Sequence, residues 1–155
     1  YIWRHIKQRF YSMPVELLDE ETGELEPFSY FIKDADGNIS NVIEPNTTSE
    51  RPTDDFWFEI FPLHSQPSQQ ELGTVGRNRW NFGLQININC NRNSSKYSGT
   101  YDIDRAYDYI AANFKRGDIF DGIRVLRTAY RSSARLSEDT YSVPVTVMLQ
   151  ADLEN

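Results

Sequence analysis

The sequence predicts an α+β protein in which a largely antiparallel four-stranded sheet carries two helices on one face, with an inserted β-hairpin near the N-terminus. Residues 80–90 and 141–152 alternate apolar and polar side chains, the pattern of strands with one buried face. Residues 1–13 and 103–114 instead repeat apolar residues at helical spacing. Such helices and such a sheet bury their apolar surfaces by packing together, so we expect a single domain, 1–155.

The N-terminal third combines the first helix with a long insertion. Pro14 ends the helix, and residues 14–54 separate it from the main sheet. The insertion starts with an acidic, irregular stretch at 16–26 and continues with a hairpin that turns at Asp36-Gly37. A polar linker at 44–54 ends it. We therefore expect 14–54 to be an inserted acidic loop and hairpin attached to the rest of the domain.

Local signals place the other strands and the second helix. Residues 56–61 are an apolar run typical of a buried central strand, and residues 119–130 form a third strand region with a kink at Gly122. We expect Asp102 or Asp104 to cap the second helix and Gly117 to follow its C-terminus. Three long polar segments are not needed for the core and are candidate contact regions: 66–79, 91–97 and the hairpin tip 131–135.

The polar side of the strand at 80–90 is rich in amides and poor in charge. Gln85, Asn87 and Asn89 all lie on this side, opposite the apolar residues of the same strand. Amide side chains both donate and accept hydrogen bonds, so this face can meet a partner protein, a channel or water. We take these three residues as candidate interface residues.

Arginines recur along the third strand and the hairpin that follows it. Three interpretations remain open: a solvated strand face, a contact between subunits, and a nucleic-acid patch formed with nearby tyrosines. The net charge of −7 opposes the third, because gripping phosphates needs a local excess of Lys and Arg. The candidate interface residues from this region are Arg124, Arg127, Arg131, Arg135 and Tyr97.

The sequence contains no recognisable catalytic constellation. His5 and His64 are the only histidines, and neither has carboxylates at metal-ligand spacing. Cys90 lies on the apolar side of its strand and is expected to be a buried, inert thiol. We therefore predict no enzyme activity, no catalytic residue, no cofactor and no metal site. No apolar run approaches the ~18 residues that span a membrane, so no membrane partner is expected.

Several segments together resemble phage tail terminator proteins. They are Trp80-Asn81-Phe82-Gly83-Leu84-Gln85-Ile86-Asn87-Ile88, the helix end Asn113-Phe114-Lys115-Arg116-Gly117, Gly122-Ile123-Arg124-Val125 and Tyr141-Ser142-Val143-Pro144-Val145-Thr146-Val147. In that family a strand carrying a Gly and a Gln precedes a helix closed by a Phe-x-Arg-Gly type turn. The resemblance covers roughly residues 1–13 and 55–152 and leaves out the insertion.

The resemblance implies a structural virion protein of the tail or neck, assembled in the host cytoplasm. It implies a homo-oligomeric ring, commonly a hexamer, that ends polymerisation of the tail tube at its head-proximal end. Its expected partners are further copies of itself, the tail tube protein and a head-side connector or stopper protein. DNA would pass through the lumen without specific binding, which an acidic protein favours. The alternative is another neck protein, such as a head-completion or stopper ring protein, or a small binding module.

Overall fold

The computed structural model describes residues 2–45, 54–64, 68–69 and 77–154. Two helices are assigned within these ranges: α1, Ile2–Ser12, and α2, Gly99–Asn113. Ten strands accompany them: β1 Leu17–Leu18, β2 Leu25–Glu26, β3 Val42–Ile43, β4 Phe56–His64, β5 Ser68–Gln69, β6 Arg77–Asn91, β7 Ile119–Phe120, β8 Ile123–Arg131, β9 Arg135–Leu136 and β10 Thr140–Glu154. Most of the polar loop 66–79 and of the polar linker 44–54 lies outside the described residues.

The strands form one large mixed sheet, curled into a half-barrel, and a separate two-stranded sheet made by β1 and β2. The order in the large sheet is β3-β4-β6-β10-β8-β7, with β5 paired to β6 and β9 paired to β10. The predicted largely antiparallel four-stranded sheet is therefore wrong. The four longest strands do pair antiparallel, but short strands extend the sheet and β3 runs parallel to β4. Strands of two residues have no periodicity to read, so only the through-space pairing reveals them.

The core lies between the apolar face of the large sheet and the two helices. β6 supplies Leu84, Ile86, Ile88 and Cys90, all fully buried, as its alternating pattern predicts. The matching inward residues of β4 and β10 are equally buried, and α1 and α2 close the core from the other side. The residues that fill it from these elements are Phe56, Phe58, Ile60, Val143, Val145, Val147, Leu149, Ile6, Phe10, Ile103, Ala106 and Ile110.

The segment 14–54 adds an aromatic wall to this core. The rings of Phe28 and Phe31 lie 6.0 Å and 5.6 Å from that of Phe58 in β4. Tyr30 stacks on Phe56 at 4.9 Å, and its hydroxyl donates to the Asp102 carboxylate of α2 at 2.7 Å. The segment is thus packed into the domain rather than suspended beside it.

Two parts of this segment differ from the structure that the sequence predicts for them. The chain does turn at Gly37, whose φ is +81°, but a single bridge between Lys33 and Ile39 replaces the expected hairpin ladder. The acidic stretch 16–26, expected to be irregular, instead contains the β1–β2 pair. Its leucines at 17, 18 and 25 are too few to show alternation against the surrounding charges.

Two fully buried asparagines tie this segment to the sheet and to α2. The Asn41 amide donates to the Tyr30 and Phe56 carbonyls at 2.9 and 3.0 Å and accepts from the Ile32 N–H at 2.9 Å. Asn113, at the end of α2, accepts from the Val15 N–H at 2.8 Å and donates to the Tyr109 carbonyl at 2.8 Å. Each of these bonds gives a backbone N–H or C=O group a hydrogen-bond partner.

The caps of α2 differ from those predicted. Ser98 is the N-cap residue, with its side chain accepting from the Tyr101 N–H at 3.4 Å. Asp102 reaches back to the Ser98 N–H at 2.6 Å, so it supports the cap without being the cap itself. The helix ends at Asn113, and Gly117, with φ +89°, belongs to the following turn rather than to the position after the helix.

The expected kink at Gly122 is a tight hairpin turn. Asp121 and Gly122 have φ values of +49° and +78° and join β7 to β8. Positive φ at both central residues is the signature of a type I′ turn, which matches the natural twist of paired strands. The region 119–130 is therefore two strands rather than one.

Candidate functional site

The face of the large sheet opposite the helices is the leading candidate for a functional surface. Gln85, Asn87 and Asn89 of β6 all lie on it, because the alternate residues of this strand point into the core. The strand register places Phe61 of β4 and Thr146 of β10 on either side of Gln85. Both described helices contribute to the core on the other side, so neither covers this face, which we call the uncovered face. Within it Gln85 and Asn87 are half-buried, whereas Asn89 is only 4% exposed and is therefore poorly placed for a contact.

Hydrogen bonds between side chains connect the polar groups of this face. Gln85 donates to the Asn87 side chain at 3.2 Å and accepts from the Thr146 hydroxyl at 3.1 Å. Asn89 donates to the Glu59 carboxylate at 3.0 Å. A further bond of 3.1 Å joins Gln150 of β10 to Asn81 of β6. The amides therefore fix one another in place, and the part of the face around Gln85 is ordered and weakly charged.

Aromatic side chains on β4 interrupt the polar character of this face. Trp57, paired in register with Asn89, is only 4% exposed. Phe61 is four residues further along β4, is 37% exposed and lies beside Gln85. An accessible aromatic ring among ordered amides is a composition found at protein interfaces.

The four arginines predicted as interface residues do not form one patch. Arg124 and Arg127 are exposed, and the register pairs them with Gln150 and Met148 of the uncovered face. The Arg127 guanidinium lies 4.1 Å from the centre of the Tyr130 ring, a cation–π contact that holds it in place.

The other two arginines have different surroundings. Arg131 forms an ion pair with Asp104 of α2 and lies over the Tyr107 ring, on the helix side of the sheet. Arg135 is exposed in β9, opposite Ser142. The four arginines, regularly spaced in the sequence, thus occupy three different environments. One reason is a bulge in the β8–β10 pairing, which changes the face of the sheet on which the following β8 side chains lie.

Tyr97 is partly buried and packs against the core. Its ring centre is 5.1 Å from that of Phe56 and 6.4 Å from that of Tyr30. The segment before it is held by Asp55, which accepts from the Ser94 hydroxyl at 2.9 Å. The segment 91–97 is therefore anchored to the start of β4, with Tyr97 contributing to the core.

A second surface, which the sequence analysis missed, is an acidic cleft between the β1–β2 pair and α2. Its volume is about 360 Å³, and the carboxylates of both elements face it. Its lining residues are Leu18, Asp19, Glu20, Glu21, Glu26, Tyr101, Asp104, Arg105 and Asp108. The run at 16–26 was visible in the sequence, and Asp104 and Asp108 share a helix face at four-residue spacing. Only the fold brings the two groups together.

The electrostatics of the cleft reflect the shortage of cations. The hydrogen bond that the Glu26 carboxyl makes to Asp19 raises the pKa of Glu26. The pKa of Asp19 is lowered, first by the hydrogen bond from the Glu21 backbone N–H and then by the bond with Glu26. Loss of hydration raises the pKa of Asp108, which Arg105 partly offsets. Arg105 is already engaged, since it donates to the Leu18 carbonyl at 3.2 Å.

The described ranges hold no group of three or more His, Cys, Asp or Glu residues arranged to bind a metal ion. The His5 Nδ1 atom lies 3.3 Å from a carboxylate oxygen of Asp121, which joins α1 to the β7–β8 turn. In that same part of the chain, no helix is both long enough and apolar enough to cross a membrane.

Cys90 is expected to resist alkylation in the folded protein. Its side chain is fully buried, and loss of hydration raises the pKa of the thiol to about 11. Since the thiolate is the reactive form, iodoacetamide should modify the native protein at pH 8 about a hundredfold more slowly than the protein in urea. Mass spectrometry of timed samples measures both rates. Equal rates would contradict the burial of this residue.

The curled mixed sheet, with both described helices on one side and a polar face on the other, defines an α+β fold. No family model and no curated protein match the sequence. Three chains of solved structures do match. One of these is similar to this chain with a TM-score of 0.56 and 12% sequence identity, over 76% of this chain and 81% of that chain. At this identity the similarity concerns the fold alone.

Proposed function

We propose that this chain is a structural virion protein that forms a homo-oligomeric ring, a hexamer, at the head-proximal end of a phage tail tube. The ring ends tube polymerisation and offers the joining surface for the head-side connector or stopper protein. The sequence resemblance to tail terminators motivates the proposal. The observation that carries it is the ordered, weakly charged sheet face around Gln85, which suits a protein contact or a lumen wall.

The properties of this face fit both roles. Gln85 and Asn87 are held by side-chain hydrogen bonds, so a partner would meet a surface that is already ordered. The only described carboxylate in this network is Glu59, and the whole chain has a net charge of −7. DNA phosphates would find no described cation among these side chains, since Arg124 and Arg127 lie two strands away on β8, and this favours passage over binding at the centre of the face.

Size measurement and imaging test the proposal directly. The purified protein is examined by mass photometry and negative-stain electron microscopy, alone and with tail tubes assembled from the tube protein of the same genome. We expect rings and tubes capped at one end. A protein that stays monomeric in both experiments would overturn the proposal. Rings that bind a head connector but leave tubes uncapped would favour a stopper or head-completion protein instead.

A charge placed on the uncovered face tests its role. Gln85→Lys is expected to preserve the fold, because the side chain is only partly buried, and to weaken ring assembly or to retain DNA in the lumen. Circular dichroism, ring size and DNA release from assembled particles measure these effects. Gln8→Lys makes the same substitution at an exposed position on α1 and is the control. Unchanged assembly and unchanged DNA release would mean that water alone contacts this face.

A further inference from the structure

Two oppositely charged surfaces of this chain lie on different sides of the molecule. Arg124 and Arg127 are exposed on the uncovered face of the sheet. The acidic cleft lies in the helix layer, between the β1–β2 pair and α2. A ring built from identical copies needs two different surfaces that fit each other, one from each neighbour.

Arg127 is prepared to bind a carboxylate. Its guanidinium is held 4.1 Å above the Tyr130 ring, and neither Arg124 nor Arg127 has an ion-pair partner among the described side chains. A stacked guanidinium still presents its N–H groups in one plane, and it loses less freedom on binding than a mobile side chain.

The acidic cleft has the complementary chemistry and an apolar rim. Six of its lining residues are acidic, and its single arginine, Arg105, already bonds to the backbone of Leu18. Leu18, Leu25 and Tyr101 at or beside the cleft are 53%, 62% and 68% exposed. Large apolar side chains around an unbalanced charge are typical of a surface that a protein partner covers.

We propose that Arg127 of one copy enters the acidic cleft of the next copy, and that this charged contact joins neighbouring subunits of the ring. The proposal rests on the proposed function, since it names the partner as a second copy of the same chain. The contact is heterologous, because the uncovered sheet face and the cleft are different surfaces. Its strength should fall as salt rises, since both patches are accessible to ions.

Charge reversal in separate and mixed samples tests this contact. Arg127→Glu places a carboxylate against the acidic cleft, and Asp108→Arg places a cation in the cleft that repels Arg127, so each variant alone should assemble at least about tenfold more weakly. In an equal mixture each reversed surface meets its complement. Alternating rings should therefore return, which an even-numbered ring permits. Lys33→Glu, an exposed reversal in the turn before β3, should assemble like the unmodified protein.

The readout is ring mass by mass photometry at low and high salt, with circular dichroism to verify the fold of each variant. The assay uses the condition in which the unmodified protein forms rings. If the unmodified protein forms rings but the two single variants assemble normally, the proposed contact is wrong and the proposed ring is not affected. The same conclusion follows if mixing the two variants does not restore rings. If the unmodified protein forms no ring on its own or on tubes, the proposed function itself fails.

Discussion

Replacing Asn41 with leucine is expected to lower the free energy of unfolding by about 4 kcal/mol, since three buried backbone groups lose their partner and each such loss costs about 1–3 kcal/mol. The side chain is fully buried and of similar size to leucine, so the effect reports hydrogen bonding more than volume. The groups left unpaired are the Tyr30 and Phe56 carbonyls and the Ile32 N–H.

Urea unfolding followed by circular dichroism measures this change. Asn93→Leu makes the same chemical substitution at an exposed site and should change the free energy of unfolding by less than about 0.5 kcal/mol. Similar losses for both variants would contradict the role of Asn41 as the link between the 14–54 segment and β4. A large loss for Asn41 alone would show that this segment is part of the cooperative fold.

Phe58→Ala is expected to destabilise the protein by about 4 kcal/mol, the usual cost of removing a buried phenylalanine. The Phe58 ring is fully buried, with ring centres of four other phenylalanines within 5.5–6.0 Å. These neighbours come from α1, the 14–54 segment and β4 itself, so the cavity would open where three parts of the chain meet. Little room for collapse is expected, because these rings also pack against one another.

The same strand supplies the control for this variant. Phe61 lies three residues further along β4 on the uncovered face and is 37% exposed. Phe61→Ala should therefore cost about 1 kcal/mol or less. Thermal unfolding of the two variants side by side separates a core role from a surface role. If Phe61→Ala were the more damaging change, the assignment of the two sheet faces would be reversed.

These two predictions concern the fold, whereas the functional proposal concerns the opposite face of the same sheet. The side chains of β6 and β10 that face the helices are held in place by packing in the core. On the opposite face, side-chain hydrogen bonds such as those of Gln85 and Asn89 hold the polar groups in place. A sheet stabilised on both faces can present a rigid surface to a neighbour without rearranging. Such rigidity suits a subunit that must stop a growing tube at a defined ring.

Prediction from sequence was strongest where a pattern repeats over many residues. The strand faces at 80–90 and 141–152 and the two helices could be recognised because alternate residues, or residues three and four apart, share one environment. It failed at Gly122, where two positive φ values make a turn inside an apparently continuous strand. It also failed for the sheet as a whole, since the parallel pairing of β3 with β4 involves only two residues.

The candidate site shows the same division. The sequence by itself determined that β6 has an amide-rich polar side, because side-chain alternation is a local property of an extended chain. Only the tertiary structure decided that Arg127 is exposed while Arg131 is paired with Asp104, and that Tyr97 lies against Phe56. It also assembled the acidic cleft from two segments about 80 residues apart. Such groupings depend on which elements meet in space, and no local pattern records that.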